Sequence, residues 1–244
     1  MRATLTIFKR ELSAYFASPL AYVFIVIFLA LTGAFTFFIG GFFDRGSADL
    51  QSFFAFHPWL YVFLVPAVAM RLWAEERKTG TIELLMTLPV TTFQAVMGKF
   101  LAAWCFTGIA LALTVPVWFT VNYLGEPDNG VIVASYFGSW LMSGAFLAIG
   151  ACVSALTTNQ VIAFVVSAAA CFLFLTSSLD MVLSVFRPWA PGFLVDLIAS
   201  FSFITHFGIV TKGVISLSTA VFFVSLMGVC LFANALLIDL RRSS

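Results

Sequence analysis

Charged side chains are scarce in this sequence. Only 9% of its 244 residues are Asp, Glu, Lys or Arg, whereas about a quarter of the residues in an average soluble domain are charged. Hydrophobic residues make up 62%, including 30 Phe, and the mean hydropathy is +1.08. This composition excludes an ordinary soluble domain, and a net charge of +1 gives no basis for nucleic-acid binding. It indicates an all-α polytopic protein embedded in a lipid bilayer.

Residues that hold metals or form disulfides are also few. There is no CxxC pair, and each of the four cysteines lies inside an apolar run, which favours small buried side chains over a disulfide framework: Cys105, Cys152, Cys171 and Cys230. The two histidines, His57 and His206, are both predicted near the outer face. A bis-histidine site stays formally open, but two lone histidines are more often structural. We therefore predict no cofactor and no metal in this chain.

Three further patterns are missing. No acidic residue falls in the middle of a predicted span, which argues against a proton relay. No glycine-rich loop has the spacing of a nucleotide site; "GIVTKG" (208–213) is a loose match that falls on the wrong side of the membrane. No Ser/His/Asp constellation can be argued either. The sequence therefore predicts that the chain is not an enzyme and binds no ATP by itself.

Long uncharged runs are what the sequence has in abundance. A span needs about 20 apolar residues, and the runs predict six spans and a single transmembrane domain over 1–244. The expected spans are 20–43, 57–73, 95–122, 133–156, 160–178 and 217–238. The segment 180–216, between the last two, is too polar for a full span. We expect it to form one or two short helices at the outer face, covered by protein.

The first 18 residues have a different pattern. Leu5, Phe8, Leu12 and Tyr15 recur at helical spacing, with Lys9 on the other side. This spacing predicts an amphipathic helix in the membrane interface over 1–18. The alternative is an extension of the first span, and Pro19 favours a break between the two.

Basic residues are distributed unequally between the two sides. Nine of the twelve Lys and Arg residues fall on the side of the N-terminus: Arg2, Lys9, Arg10, Arg71, Arg77, Lys78, Lys99, Arg241 and Arg242. The other three are Arg45, Arg187 and Lys212. Because cytoplasmic segments carry the excess of basic residues, both termini and the segment 75–92 are predicted to be cytoplasmic.

The fourth predicted span carries small residues at four-residue spacing, namely Gly144, Ala148 and Cys152. Small residues at this spacing allow helix backbones to approach closely. Packing within the chain and packing in a dimer explain the pattern equally well at this stage.

Charges are concentrated in one place, "EERKTGTIELLMTLPVTT" (75–92). Thr81 can cap a short helix, and Glu83 in the first turn suits the helix dipole. Apolar residues follow at helical spacing, and Pro89 ends the helix. Thr91 and Gln94 then match a capping box for the start of the third span.

Leucines exposed on such a short helix need a cover. An ordinary loop helix on the bilayer would use lipid headgroups for this. The functional alternative is a docking helix for a soluble partner whose motion it passes on to the two spans that it joins.

The segment 74–100, "AEERKTGTIELLMTLPVTTFQAVMGKF", resembles the signature of ABC type 2 permeases. The residues that fit are Glu75, Glu76, Arg77, Gly80, Thr81, Glu83, Leu85, Pro89 and Lys99. The stretches 7–23 and 205–226 resemble the branch that contains the gliding-motility permease and the nitrous-oxide-reductase accessory permease. This chain has "GIVTKG" after its His-Phe pair, where the branch often has an acidic stretch, so its substrate and partner preference stay open.

The resemblance implies a permease subunit in the bacterial inner membrane that couples ATP hydrolysis to substrate export or conformational signalling. A second permease chain would pair with it; a homodimer is favoured, and a heterodimer stays open. A separate cytoplasmic ABC ATPase would bind ATP and Mg, and the helix at 81–88 would be the coupling helix. Some members of the branch also work with a periplasmic or membrane-anchored auxiliary protein. The docking residues carried over are Glu76, Arg77, Gly80, Thr81, Glu83, Leu84, Leu85 and Pro89. The alternative is a membrane anchor or assembly subunit without transport, and a membrane redox protein is a third, more distant one.

Overall fold

The computed structural model describes residues 2–82, 89–214 and 216–242, and within these ranges the secondary structure is helical with no strand. We number the thirteen helices that have described bounds α1 to α13. They are α1 Arg2–Ala17, α2 Pro19–Ala34, α3 Gln51–Ala55, α4 His57–Ala69, α5 Arg71–Thr79, α6 Thr92–Ala112, α7 Val115–Leu124, α8 Asn129–Ser154, α9 Gln160–Thr176, α10 Asp180–Phe186, α11 Gly192–Ser200, α12 Phe203–Val210 and α13 Leu217–Arg242.

The helix lengths agree with a multi-pass membrane protein. In the described ranges, four helical stretches are long and apolar enough to cross a membrane: Pro19–Ile39, Thr92–Leu124, Asn129–Ser154 and Leu217–Leu240. The number rises to six if two bent pairs each count as one span. These pairs are α9 with α10, bent by 90°, and α11 with α12, bent by 57°.

The predicted second span, 57–73, is where the observed helices differ most from the expected ones. Helix α4 has only 13 residues and ends at Ala69; the chain then bends at Met70 and begins the separate helix α5. Neither α4 nor α5 is among the four long apolar stretches. The uncharged run ends at Met70, and the charged residue Arg71 begins α5, so the composition changes at the bend. The six-span layout therefore stays a prediction.

Other bounds differ for local reasons. The first span ends at Ile39 in a π-helical turn, Phe35–Ile39. The third is divided between α6 and α7, because Pro116 has no N–H to donate to the carbonyl of Ala112. In its described residues, the segment 180–216, which was predicted to lie at the outer face, contains three short helices, α10 to α12, where one or two were expected.

Helix α8 is the centre of the bundle. Most of its side chains are buried, and it packs against α13, α4, α9 and α6. Glycine permits the closest of these contacts: a Cβ at Gly150 would lie 2.4 Å from the Cβ of Ala69 in α4. Because α8 is central, its ends lie beside shorter helices and can hold them in place. Ser154, at the end of α8, contacts the start of α5 in this way.

Helices α6 and α8 meet in a self-complementary contact, which we call the tryptophan clasp: Trp104, Gly108, Trp140 and Gly144. The two indole rings stack with their centroids 4.3 Å apart. Each ring N–H donates to the backbone carbonyl of the other tryptophan, at 2.9 Å and 3.3 Å. A Cβ at Gly108 would lie 2.8 Å from the Nε1 of Trp140, and a Cβ at Gly144 would lie 2.7 Å from the Nε1 of Trp104. The same W-x-x-x-G pattern in both helices therefore makes both halves of the contact.

The N-terminal helix α1 is separate from α2, as Pro19 predicts. The chain breaks at Ser18, whose hydroxyl caps α2 by accepting from the Leu20 N–H. Helix α1 lies along α6, where a Cβ at Gly98 would be 2.8 Å from the Cβ of Ile7. Tyr15 stacks on Phe106 of α6 at 5.0 Å. Part of the apolar face of α1 is therefore covered by the chain itself.

Candidate functional site

Helix α5 leads from the bundle into the charged segment 75–92, and one hydroxyl group fixes its first turn. Ser154, at the end of α8, accepts hydrogen bonds from the N–H groups of Trp73 and Ala74 at 3.2 and 3.1 Å. The same hydroxyl donates to the carbonyl of Met70 at 2.9 Å. Met70 supplies no side-chain cap of its own, and the first N–H groups of a helix need partners. Ser154 therefore provides the cap from a helix about 80 residues later in the sequence.

A buried lysine joins α5 to two further helices. The Nζ of Lys99, in α6, lies 2.7 Å from Glu76 Oε1 of α5 and 3.2 Å from Glu11 Oε2 of α1. Lys99 is 3% exposed, and its ammonium also lies 5.4 Å from the ring centroid of Trp73. We call Glu11, Glu76 and Lys99 the lysine cluster. Because the ammonium is removed from water, these carboxylates compensate for its lost hydration.

Glu11 also contacts a second cation. Arg10 donates to the Oε1 of Glu11 at 2.6 Å. Burial on its own would raise the pKa of the Glu11 carboxyl, but Lys99 and Arg10 together outweigh burial and hold that pKa below its ordinary value. The lysine cluster therefore has an ionised carboxylate on α1 at neutral pH.

A second ion pair lies one turn before the cluster, on α5 itself. Arg71 donates to both oxygens of Glu75, at 2.7 and 3.0 Å. The hydrogen bond from Arg71 is the main reason why the pKa of Glu75 is lowered. Both side chains are about a third exposed, so the pair contributes little to stability and stays accessible to other molecules.

The far end of α5 is formed by glycine. Gly80 has φ of +72°, the left-handed conformation that glycine adopts at little cost, and follows Arg77 and Lys78 in the last turn. Both basic residues suit the negative end of the helix dipole. Thr81 and Ile82 are helical again, so the chain changes direction at Gly80.

Helix α6, which leads the chain back into the bundle, begins at the position that the sequence predicts. The predicted capping box is confirmed: Thr91 Oγ1 accepts from the Gln94 N–H, and Gln94 Oε1 accepts from the Thr91 N–H, both at 3.2 Å. Thr92 donates to a carboxylate oxygen of Asp239, near the end of α13. Helix α1, helix α5, the start of α6 and the end of α13 therefore lie at one end of the bundle.

The predicted docking residues have different surroundings. Gly80, Thr81 and Pro89 are exposed, and Arg77 is half-buried. Glu76 is largely buried and points to Lys99. The other three predicted docking residues, Glu83, Leu84 and Leu85, lie outside the described residues.

The small residues predicted to mediate packing are used mainly inside the chain. Gly144 lies against Trp104 and Met227, and Ala148 is fully buried. Cys152 is half-buried. Packing within the chain, one of the two alternatives, therefore accounts for Gly144 and Ala148.

Sequence analysis missed the partners of Lys99 and the role of Ser154. A single lysine near the start of an apolar run signals a buried cation, but its partners lie 23 and 88 residues away. Serine in an apolar helix gives no comparable signal. Among the residues in the described ranges, no group of three or more His, Cys, Asp or Glu side chains could hold a metal ion.

Comparison with known proteins supplies the family. A model of the ABC-2 family transporter proteins matches residues 8–178, more than half of the chain, including α5 and the lysine cluster. No curated protein matches the chain. The match and the apolar helices together identify a multi-pass membrane protein of the kind that forms the permease component of ABC transporters. The chain belongs to the ABC-2 family of transporter proteins.

Proposed function

We propose that this chain is the membrane subunit of an ABC transporter in the bacterial inner membrane and that a separate cytoplasmic ATPase docks on the segment 75–92. The ATPase would bind ATP and Mg, and a second copy of the permease would complete the transporter. Family membership supports the permease role, since ABC-2 permeases typically work with a cytoplasmic ATPase. The branch with the gliding-motility permease remains part of the proposal, as does an auxiliary periplasmic or membrane-anchored protein.

The lysine cluster is the observation that carries the coupling role. It connects the first helix of the charged segment to α1 and α6, and Ser154 connects the same helix to the central α8. A displacement of α5 by a docked protein would therefore act on several helices of the bundle together. A helix that only rested on the bilayer would not need this set of buried polar contacts.

The arrangement at this end of the bundle is consistent with cytoplasmic termini. Helix α1 and the end of α13 lie beside α5, so a protein docked on the segment 75–92 would meet the same side of the membrane as both termini. The excess of Lys and Arg on this side supports a cytoplasmic location.

The docking role can be tested by producing this chain together with a candidate ABC ATPase. Glu83→Lys and Leu84→Asp should reduce co-purification of the ATPase and its stimulation by the permease, while leaving the helical content unchanged. Asp180→Lys is the control, because Asp180 is 88% exposed on α10, outside this end of the bundle. Unchanged co-purification and stimulation in both variants would contradict the proposal. A partner that binds but whose ATP hydrolysis never responds to the chain would favour the membrane anchor.

A further inference from the structure

A cavity of about 270 Å³ lies beside the lysine cluster, between α1, α2, α4, α5 and α6. One end of its wall is charged and is formed by Glu11, Arg71, Glu75 and Lys99. The rest is mainly apolar, apart from Tyr15 and Ser18, and much of it is formed by side chains of α2, α4 and α6, among them Val23, Phe24, Ile27, Leu64, Val68 and Phe106. The cavity is therefore amphipathic along its length.

The apolar end is bordered by the outer surface of a helix that is long enough to span the membrane. Leu20, Val23 and Ile27 of α2 line the cavity, yet they are 45%, 52% and 42% exposed. Exposed apolar side chains on a membrane-spanning helix face hydrocarbon. A molecule from the bilayer can therefore reach the cavity sideways, with its apolar part on α2 and α4.

The charged end contains equal numbers of acidic and basic groups. Lys99 is enclosed by Glu11 and Glu76 and is 3% exposed. Arg71 and Glu75 are accessible, with side-chain exposures of 32% and 40%. Arg71 uses two of its five N–H donors on Glu75. The accessible part of the site is thus a guanidinium with spare donors beside a carboxylate.

We propose that this cavity binds a zwitterionic phospholipid with a primary ammonium, of the phosphatidylethanolamine type, from the bilayer leaflet at this end of the bundle. The phosphate accepts from Arg71, which suits the geometry of a guanidinium. The ammonium donates to Glu75, and an acyl chain lies along α2 and α4. An anionic lipid should bind less well, because the two basic side chains in the wall are already balanced by the carboxylates of Glu75 and Glu11, which would repel its extra negative charge.

Native mass spectrometry of the full chain released from nanodiscs tests the headgroup. With equal amounts of phosphatidylethanolamine, phosphatidylcholine and phosphatidylglycerol, we expect phosphatidylethanolamine to be retained preferentially. Arg71→Gln should lower its retention about tenfold, as expected for the loss of one charge-assisted hydrogen bond. Arg187→Gln is the matched control, because Arg187 forms a similar pair with Asp180 on α10, at 2.9 Å, and should have no effect. Preference for phosphatidylglycerol, equal retention of all three lipids, or equal loss in both variants would overturn the proposal.

A second variant tests the cavity independently of its charges. Ala67 lines the cavity and is half-buried, so Ala67→Trp should fill the space and abolish lipid retention. Ala169→Trp is the control, on an exposed position of α9 outside the cavity. Circular dichroism and thermal unfolding of both variants establish that they are folded. If folded Ala67→Trp retains the lipid, the cavity is not the lipid site. Cross-linking offers another check: if Val23→Cys forms a disulfide between two copies and the lipid is lost, a second copy of the chain covers this face, and the cavity is not the lipid site.

Discussion

Lys99 shows most clearly how a single residue holds this end of the bundle together. Its ammonium lies against carboxylates from two other helices and the face of Trp73, and water hardly reaches it. Removing one partner from a buried ion pair leaves the opposite charge without compensation, which costs far more than the pair contributes as a whole. The lysine should therefore be harder to replace than either carboxylate.

Lys99→Met is expected to lower the free energy of unfolding by about 3–5 kcal/mol, because Glu76 loses the ammonium beside it and Glu11 keeps only Arg10 as a cation. Thermal unfolding in detergent measures this loss. The double variant Lys99→Met with Glu76→Gln should recover part of this loss, since the carboxylate charge that Lys99 had compensated on α5 is removed as well. Lys212→Met, at an exposed position, is the control and should unfold like the unmodified chain. A similar small effect for both lysines would refute the assignment.

The pH dependence follows from Glu11. Its folded pKa lies below the ordinary value of about 4.3, so its contribution to stability is complete above that value and is lost as the pH falls through the lower folded pKa. We expect unmodified protein to be more stable than Glu11→Gln by a constant amount at neutral pH, and the difference to narrow below about pH 4. Unfolding midpoints between pH 7 and pH 3.5 measure it. A difference that grows on acidification would contradict this sign.

At the scale of residues, local patterns were predictable and distant partners were not. The Thr91–Gln94 capping box was correct because its two members are three positions apart. The partners of Lys99 lie on helices that only the fold brings together. Likewise, Thr92 and Asp239 meet across 147 positions of sequence, and no local pattern contains that information.

At the scale of elements, α5 is a nine-residue helix that depends on its neighbours. Isolated helices of this length are marginal in water. Its start is capped from α8 and its middle is held by the lysine cluster, while glycine ends it. The amphipathic α1 and the break at Pro19 were predictable from spacing. The bend at Met70 was not, because the cap that stabilises it comes from Ser154, outside the segment.

Ser154→Ala should lower stability by about 1–3 kcal/mol, because buried N–H and C=O groups lose their partner. Hydrogen exchange at the amides of Trp73 and Ala74 should become faster, which a general loss of packing elsewhere would not produce selectively. Ser184→Ala is the control, since its hydroxyl bonds only to Met181 in its own exposed turn. Unchanged exchange at both amides would show that Ser154 does not hold the start of α5.

At the scale of the whole molecule, the membrane class was evident from composition, because lipid requires long apolar helices. The number of spans and the residues at which they end were harder to predict from the sequence. Hydropathy cannot distinguish the buried, 13-residue α4 from a lipid-facing span. The segment 180–216 was expected to be too polar for a full span, yet α11 and α12 together are long and apolar enough to count as one bent span.

The two ends of the bundle should be accessible from opposite sides of the membrane. In a background without the four native cysteines, Thr79→Cys and Trp189→Cys provide one exposed position at each end. A membrane-impermeant thiol reagent should label Trp189→Cys in intact cells with a permeable outer membrane and Thr79→Cys only in inverted vesicles. Labelling of both from the same side would contradict the proposed orientation.

The tryptophan clasp determines which parts of this molecule can move. A Cβ at Gly108 or Gly144 has no room beneath the opposing indole. A slide of one turn, about 5.4 Å, would bring Trp140 or Ala148 under the ring of Trp104, and both residues carry a Cβ. We therefore expect helices α6 and α8 to keep a single register and to move together. In a conformational cycle of this chain, we expect the surrounding helices to change position relative to α6 and α8, while the contact between α6 and α8 stays the same.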